Sequence, residues 1–325
     1  MGSRKLFITL LSVVLLFSTS IPASADKPPR RILSGWLPDY SLSRNLPTVE
    51  GNLDLIRDVS PFWYGLTGEN SIKDKYALGR YTTSKESVIA RLKSNNILLL
   101  PTVTDDNGKL VLANMLARES ARNNIVQSLK SLVLKHNYDG IDLDFETFYT
   151  KDGRSSWPAL KPNWILFIKQ LSTELRAQGK LLSVTTPPDF AKETKRAGNS
   201  VYSWAEIGPY IDRLRIMAYD FSTSNPGPIG PIAWTEDAVK YAVTQMPASK
   251  VFLGIPGYGR DWVTKVEGVC PTAFASSVVV GAKAAVVMRE ALNLATNNNA
   301  VPVYNDKHAE STFTYRKTYM DPTNS

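Results

Sequence analysis

The 325-residue sequence contains one cysteine, Cys270, and two histidines, His136 and His308. The histidines are far apart in the chain, so no zinc-type ligand set can be assembled, and no metal or cofactor is implied. One thiol cannot build a disulfide framework. The sequence also lacks a Gly-rich phosphate loop and a Gly-x-Ser-x-Gly elbow, which leaves nucleotide and serine-hydrolase chemistry without support. No apolar stretch reaches the roughly 18 to 20 residues that a membrane helix needs. Charge of one sign is not concentrated anywhere. The 38 Lys and Arg outnumber the 30 Asp and Glu for a formal charge of +8, but they are scattered. That pattern fits a solvated surface with a modest preference for anionic polymers such as a bacterial wall, and it gives no nucleic-acid signature.

The start of the chain has the make-up of a secretory leader. Arg4 and Lys5 precede an apolar run over 6–17, and Ala23, Ser24 and Ala25 supply a small-x-small cleavage site. The expectation is a signal peptide over 1–25, a mature chain over 26–325 in one catalytic domain, and export to the medium or the cell wall, with no integral membrane segment after cleavage. The lone Cys270 is unusual for an exported chain.

Strand-like and helix-like segments then alternate. Strands are predicted over 32–36, 53–59, 97–103, 181–185, 213–219 and 251–256. Helices are predicted from Ser84, which is placed to cap its helix, and over 123–135, 164–178, 204–210 and 235–246. The 97–103 strand is apolar on both faces, as a buried parallel strand should be. This rhythm implies parallel βαβ units and an α/β fold. Several strands end in Pro, Asp or aromatic residues, which favours a (β/α)8 TIM-type barrel over a doubly wound sheet. After Arg260 the alternation breaks. An apolar helix is predicted over 277–294, with two short strands over 301–304 and 312–315.

The centre of the sequence is the stretch from Tyr138 to Glu146. From Ile141 to Glu146 apolar and acidic residues alternate, the period of a β-strand. Asp142, Asp144 and Glu146 therefore share one face, while Ile141, Leu143 and Phe145 share the other. Three carboxylates in a row repel one another unless they share protons or face a polar cleft. An edge strand with a solvated acidic face is the plain alternative, but the regular flanks place this strand centrally. Asp139 has the opposite parity and reads as structural, and Gly140 reads as a position of close backbone packing.

The run of Asp139, Gly140, Asp142, Asp144 and Glu146 resembles the signature of glycoside hydrolase family 18, the chitinase-type hydrolases. Phe62, Trp63 and Tyr64 resemble the aromatic segment after the second strand of wall- and spore-associated members. Met217 to Phe221 resembles the family's sixth-strand motif, and Leu253 to Arg260 its seventh. The resemblance implies a retaining hydrolase of β-1,4-linked N-acetylglucosamine polymers. Its catalysis is substrate-assisted, because the family departs from the usual two-carboxylate scheme by using the substrate's own acetamide. The resemblance makes Glu146 the general acid and base, with neighbouring acids helping to raise its pKa. Asp144 orients the acetamide, Asp142 shares a proton with Asp144, and Tyr219 donates to the acetamide carbonyl. Asp220 and Met217 fall at substrate-contacting positions. Of the tryptophans, Trp63 and Trp262 lie just after strand ends and are the candidate sugar platforms, with Tyr64 beside the first.

The resemblance also implies a small α+β insertion over about 260–320, after the seventh strand. The closing eighth strand, which in the family carries a tryptophan, then has no visible counterpart, and the expectation is a chain incomplete at its C-terminus, Cys270 having lost a downstream partner. The alternative is that the segment from Ser277 supplies the last helix and strand. The partner is an N-acetylglucosamine polysaccharide, either chitin or peptidoglycan, and the protein is expected to act as a monomer. A peptidoglycan N-acetylglucosaminidase, a lectin-like binding protein and an inactive truncated homologue stay open as further readings.

Overall fold

The computed structural model describes residues 33–38, 41–76 and 83–320. The predicted leader and its cleavage site lie outside the described residues, as does Ile32 at the start of the first predicted strand.

Parallel strands dominate. In chain order the strands of the two main sheets are β1 (Leu33–Leu37), β2 (Ile56–Pro61), β3 (Tyr64–Gly68), β4 (Ser71–Asp74), β5 (Leu98–Leu99), β6 (Thr102–Asp105), β7 (Gly140–Asp144), β8 (Leu181–Thr186), β9 (Arg213–Ile216) and β10 (Val251–Leu253). One sheet runs β1-β2-β5, and a larger one runs β10-β9-β8-β7-β6-β3-β4. β2 and β3 are successive pieces of one path, as are β5 and β6. Only the β3–β4 hairpin is antiparallel in these two sheets. The acidic strand β7 is central, paired with β6 and β8 on its two sides. Among the described residues, nothing pairs with the outer edges of β1 and β10.

Helices cover one face of this sheet system: α1 (Leu42–Glu50), α2 (Lys85–Ser94), α3 (Val111–Ala117), α4 (Glu119–Lys135), α5 (Thr147–Thr150), α6 (Trp157–Arg176), α7 (Trp204–Ile207) and α8 (Ile232–Gln245). The core lies between strands and helices. Val103, Ile141, Leu143, Val184, Leu214 and Ile216 are all fully buried there. Ser84 caps α2 as expected, its Oγ accepting from the Ser87 amide at 3.2 Å. The opposite face of the strands is polar. Register aligns Ser34 with Asp58, Thr102 with Asp142, Asp142 with Ser183, and Thr185 with Arg215. Side chains from distant strands meet on this face, since Arg215 on β9 reaches Ser34 on β1 and Asp58 on β2. The sheet is therefore curled around a polar interior.

Beyond β10 the predicted long helix over 277–294 is not formed. Its middle is β12 (Lys283–Val287), antiparallel to β11 (Tyr258–Trp262), and only then does α9 (Met288–Asn297) begin. The Ala/Val-rich run is β-prone once a partner strand aligns with it. A hairpin of β13 (Val303–Asn305) and β14 (Glu310–Thr312) follows. The alternative in which this segment supplies a last strand to the main sheet is not what the chain does, because β12 pairs with β11 alone. The segment is tied to the loops above the sheet. Glu310 accepts the amides of Ile229 (2.9 Å) and Gly230 (2.6 Å), and Ile232 N–H donates to His308 O at 3.1 Å.

Candidate active site

Gly140 to Asp144 is buried along its whole length. The alternation seen in the sequence sends Ile141 and Leu143 into the core and Asp142 and Asp144 into the polar interior. Asp139 is structural, its Oδ2 accepting the Leu99 amide at 2.8 Å. The strand stops two residues short of Glu146, which sits in the turn leading into α5 with helical φ and ψ of −93° and −13°. Phe145 anchors that turn. It packs against Trp164 and Phe167, and its carbonyl accepts the Tyr202 hydroxyl at 2.6 Å. Glu146 emerges half-buried at the mouth, above two carboxyls that are sealed in.

The three acids have different surroundings. Asp142, with no exposure, accepts Ser183 Oγ at 2.6 Å, Thr102 Oγ1 at 3.0 Å, Thr185 Oγ1 at 3.0 and 3.1 Å, and Trp36 Nε1 at 3.4 Å. Asp144 is 4% exposed, and its Oδ1 has no hydrogen-bond partner among the described residues. Burial, then the charge of Glu146, then that of Asp142 hold the Asp144 carboxyl well above its usual value of 3.8, while Lys75 pulls the other way. Lys75 comes from the loop after β4 and donates to Thr104 Oγ1 at 2.7 Å and Asp106 Oδ1 at 3.0 Å. The Tyr219 hydroxyl is kept protonated by burial first and then by the negative charge of Asp144. A buried acid whose carboxyl is pushed well above its usual value, a phenol held protonated and a partly exposed glutamate therefore stand together at the strand ends.

This arrangement sets a stability expectation. Above pH 3.8 an unfolded Asp144 loses its proton, whereas the folded one keeps it until higher pH. Across that window the folded state binds more protons, so the contribution of this group to stability falls as pH rises. Asp144→Asn, which mimics the neutral acid, is expected to stabilise the fold at pH 8 by about 1 kcal/mol, or roughly 2 °C in Tm. The gain should vanish towards pH 4, and thermal unfolding at both pH values measures it.

The other predicted site residues divide. Asp220 is exposed in a left-handed backbone conformation (φ 60°), where it accepts Tyr258 OH at 2.6 Å and pairs with Arg260. Met217 is partly buried next to Tyr219. Trp63 and Tyr64, in contrast, are core residues. Trp63 has no exposure and meets Tyr76 edge-on at 5.2 Å, and Tyr64 OH bonds Tyr138 OH at 2.8 Å and Lys85 Nζ at 3.1 Å. They cannot stack on a sugar, because the chain turns them away from the polar interior at the β2–β3 junction. Trp262 on β11 is half-buried beneath the Lys283 ammonium, 5.2 Å from its ring. Beside Asp220, Phe221 does reach the surface, 48% exposed and edge-on to Trp234 at 5.4 Å.

Sequence reasoning missed Tyr149, whose hydroxyl donates to Glu146 Oε2. The two residues are three apart in the first turn of a helix, a spacing at which side chains meet. Tyr149→Phe removes a hydrogen bond to a carboxylate, which contributes about 1.5–3 kcal/mol. The expected result is a fall in kcat of about 10- to 100-fold, with KM little changed, in steady-state hydrolysis assays.

Comparison with known proteins agrees with the geometry. The profile of "Glycosyl hydrolases family 18" matches residues 63–322. The chain is 26% identical over 215 residues to the uncharacterized glycosylase YvbX of Bacillus subtilis (strain 168), covering 66% of this chain and 56% of that protein. It is 25% identical over 253 residues to the cortical fragment-lytic enzyme of Bacillus anthracis, covering 75% of this chain and 56% of that enzyme. The chain thus spans little more than half the length of these two curated relatives. Its fold is similar to the crystal structure of a chitinase from Chromobacterium violaceum, with a TM-score of 0.69, 23% identity, and coverage of 87% of this chain and 82% of that one.

Proposed function

The chain belongs to glycosyl hydrolases family 18, and from that premise we propose that it is an exported, retaining hydrolase of β-1,4-linked N-acetylglucosamine polymers. The observation that carries this reading is the gradient from β7 into the turn after it: Asp142 fully bonded, Asp144 buried with its carboxyl pushed well above its usual value, and Glu146 open to the mouth. In the first step Glu146 gives its proton to the glycosidic oxygen as the C1–O bond breaks. The substrate's acetamide oxygen attacks C1 from the other face, forming an oxazolinium ion. Asp144 orients the acetamide N–H and balances the developing charge, and Tyr219 donates to the acetamide oxygen region. In the second step Glu146, now a carboxylate, takes a proton from water, which opens the oxazolinium ion at C1. Two displacements leave the anomeric configuration unchanged.

The rest of the architecture fits the same reading. The parallel strands form the arc of a (β/α)8 barrel, β1 and β10 flank the place of an eighth strand, and the segment over about 260–320 is an α+β insertion that walls the cleft. Phe221, Tyr258 and Asp220 line that wall and contact sugar. Among the described residues no helix is long and apolar enough to cross a membrane. Chitin and chito-oligosaccharides are the leading substrates. Peptidoglycan is the second, favoured by the likeness to an enzyme named for lysis of cortical fragments.

Incubation with chito-oligosaccharides and, separately, with purified peptidoglycan tests the proposal. New reducing ends from either substrate, appearing first as the β-anomer in proton NMR, are expected. If neither substrate yields reducing ends while the oligosaccharide still binds, the protein is a lectin-like binder and the enzyme reading is wrong.

A further inference from the structure

The β13–β14 hairpin is distant from β9 in sequence, yet it takes hold of the loop that follows β9. Glu310, the first residue of β14, is half-buried, and its carboxylate oxygens accept the amides of Ile229 at 2.9 Å and Gly230 at 2.6 Å. Pro231 has no N–H, and the Ile232 amide donates to His308 O at 3.1 Å. Every backbone N–H over 229–232 is therefore taken by this hairpin. A carboxylate accepting backbone N–H groups makes charge-assisted bonds, which are stronger than neutral ones. This one also sits just ahead of the first turn of α8, where the helix dipole favours negative charge.

We propose that Glu310 is a positioning residue for Tyr219: by clamping Ile229 and Gly230 it fixes the turn on which the Tyr219 hydroxyl is presented to the cleft. The proposal rests on the hydrolase reading above, in which Tyr219 donates to the acetamide of the substrate.

Short steps connect the clamp to the phenol. β9 stops at Ile216, so Tyr219 and Asp220 lie beyond the sheet and depend on loops for their place. Gly230 lies against the residue before Tyr219, since a Cβ on it would be 2.8 Å from the Ala218 carbonyl oxygen. Ile229 is buried, and its carbonyl accepts the Phe221 amide at 2.8 Å, two residues after Tyr219. The two residues that Glu310 holds thus grip Tyr219 and Asp220 from both sides. Between those grips Asp220 has a φ of 60°, which a residue with a side chain keeps only where its surroundings determine it. The Tyr219 ring is bounded on its other sides by Gly254, where a Cβ would be 3.0 Å from Cε1, and by the Tyr258 ring, edge-on at 6.3 Å. Release of the 229–230 segment would leave these ring contacts in place and free the backbone beneath them, so the hydroxyl would tilt. A misplacement of about 1 Å in a positioned group is enough to cost roughly 100-fold in rate.

Steady-state kinetics of Glu310→Ala, alone and combined with Tyr219→Phe, test the proposal on whichever of chito-oligosaccharide and peptidoglycan the wild type hydrolyses. Glu310→Ala is expected to lower kcat by about 10-fold with KM within about threefold of wild type. In the Tyr219→Phe background the hydroxyl is already gone, and the same change should lower kcat by less than about twofold. Glu310→Gln, which keeps one acceptor oxygen, should recover part of the loss. Equal losses in both backgrounds, or no loss in either, overturn the proposal and leave Glu310 as a tie between hairpin and loop. If Glu310→Ala does not fold, the same cycle is run with Glu310→Gln. Tyrosine Cζ ¹³C NMR of the free protein gives a reading that needs no activity, the Tyr219 signal being the one lost in Tyr219→Phe. That signal should shift in Glu310→Ala, and an unmoved signal overturns the proposal. If the wild type hydrolyses neither substrate and the signal shifts, the hydrolase reading fails and the clamp on Tyr219 stands.

Discussion

Glu146→Gln is expected to reduce hydrolysis by about 10²–10⁴-fold or more while leaving oligosaccharide affinity within a few-fold of wild type. Glutamine keeps the shape of the side chain and its place in the turn between β7 and α5, so the Phe145 anchor and the Tyr202 bond to the Phe145 carbonyl are untouched. The amide can neither protonate a leaving oxygen nor take a proton from water, so both steps of the proposed reaction lose their proton carrier. Glu146 is only half-buried, so the substitution leaves no buried ion unpaired. Reducing-end release measures the rate and calorimetry measures the binding. Retention of substantial activity by this variant would move the acid role to another group.

The largest stability effect is expected at Gly140. A Cβ there would lie 2.3 Å from the Leu181 carbonyl oxygen and 2.8 Å from the Leu181 Cβ. Gly140 and Leu181 are register partners at the start of β7 and β8, and the Leu181 amide donates to the Asp139 carbonyl at 2.9 Å. The clash is with backbone in the middle of a parallel sheet, so relief requires the two strands to part just where the acidic strand begins. Gly140→Ala should therefore destabilise by about 3 kcal/mol or more. Gly259, where an added Cβ meets nothing within 4 Å, provides the control, and its alanine variant should stay within about 0.5 kcal/mol of wild type. Denaturant midpoints of the two variants give the comparison.

The contrast between Gly140 and Trp63 shows what could be read from the chain. Close packing at Gly140 and the shared face of Asp142 and Asp144 were legible because strand periodicity fixes them locally. The Ser84 cap was legible for the same reason. The orientation of Trp63 and Tyr64 was not, because a residue just past a strand end can turn to the cleft or to the core, and only the path of β3 decides. β12 was hidden because an Ala/Val-rich run suits either helix or strand, and its partner β11 is more than twenty residues earlier in the chain. α1 was hidden by Pro47 within it. Arg215 does leave a signal in the sequence. Arginines at alternate positions of a buried strand require buried acids, and Asp58 and Asp142 are those acids.

The bonds from Glu310 to the amides of Ile229 and Gly230 bear on how the molecule can be divided. The segment after β10 also holds Asp220 through Tyr258 and Arg260, carries Lys283 to the Thr223 carbonyl, and brings Glu290 to Arg44 on α1. These contacts make it a keystone and not a detachable module: cutting the chain after β10 would release the backbone around Asp220 together with the loop that bears Phe221. A graft of the parallel strands alone would therefore carry the acids of β7 without the segment that holds the loops above them in place.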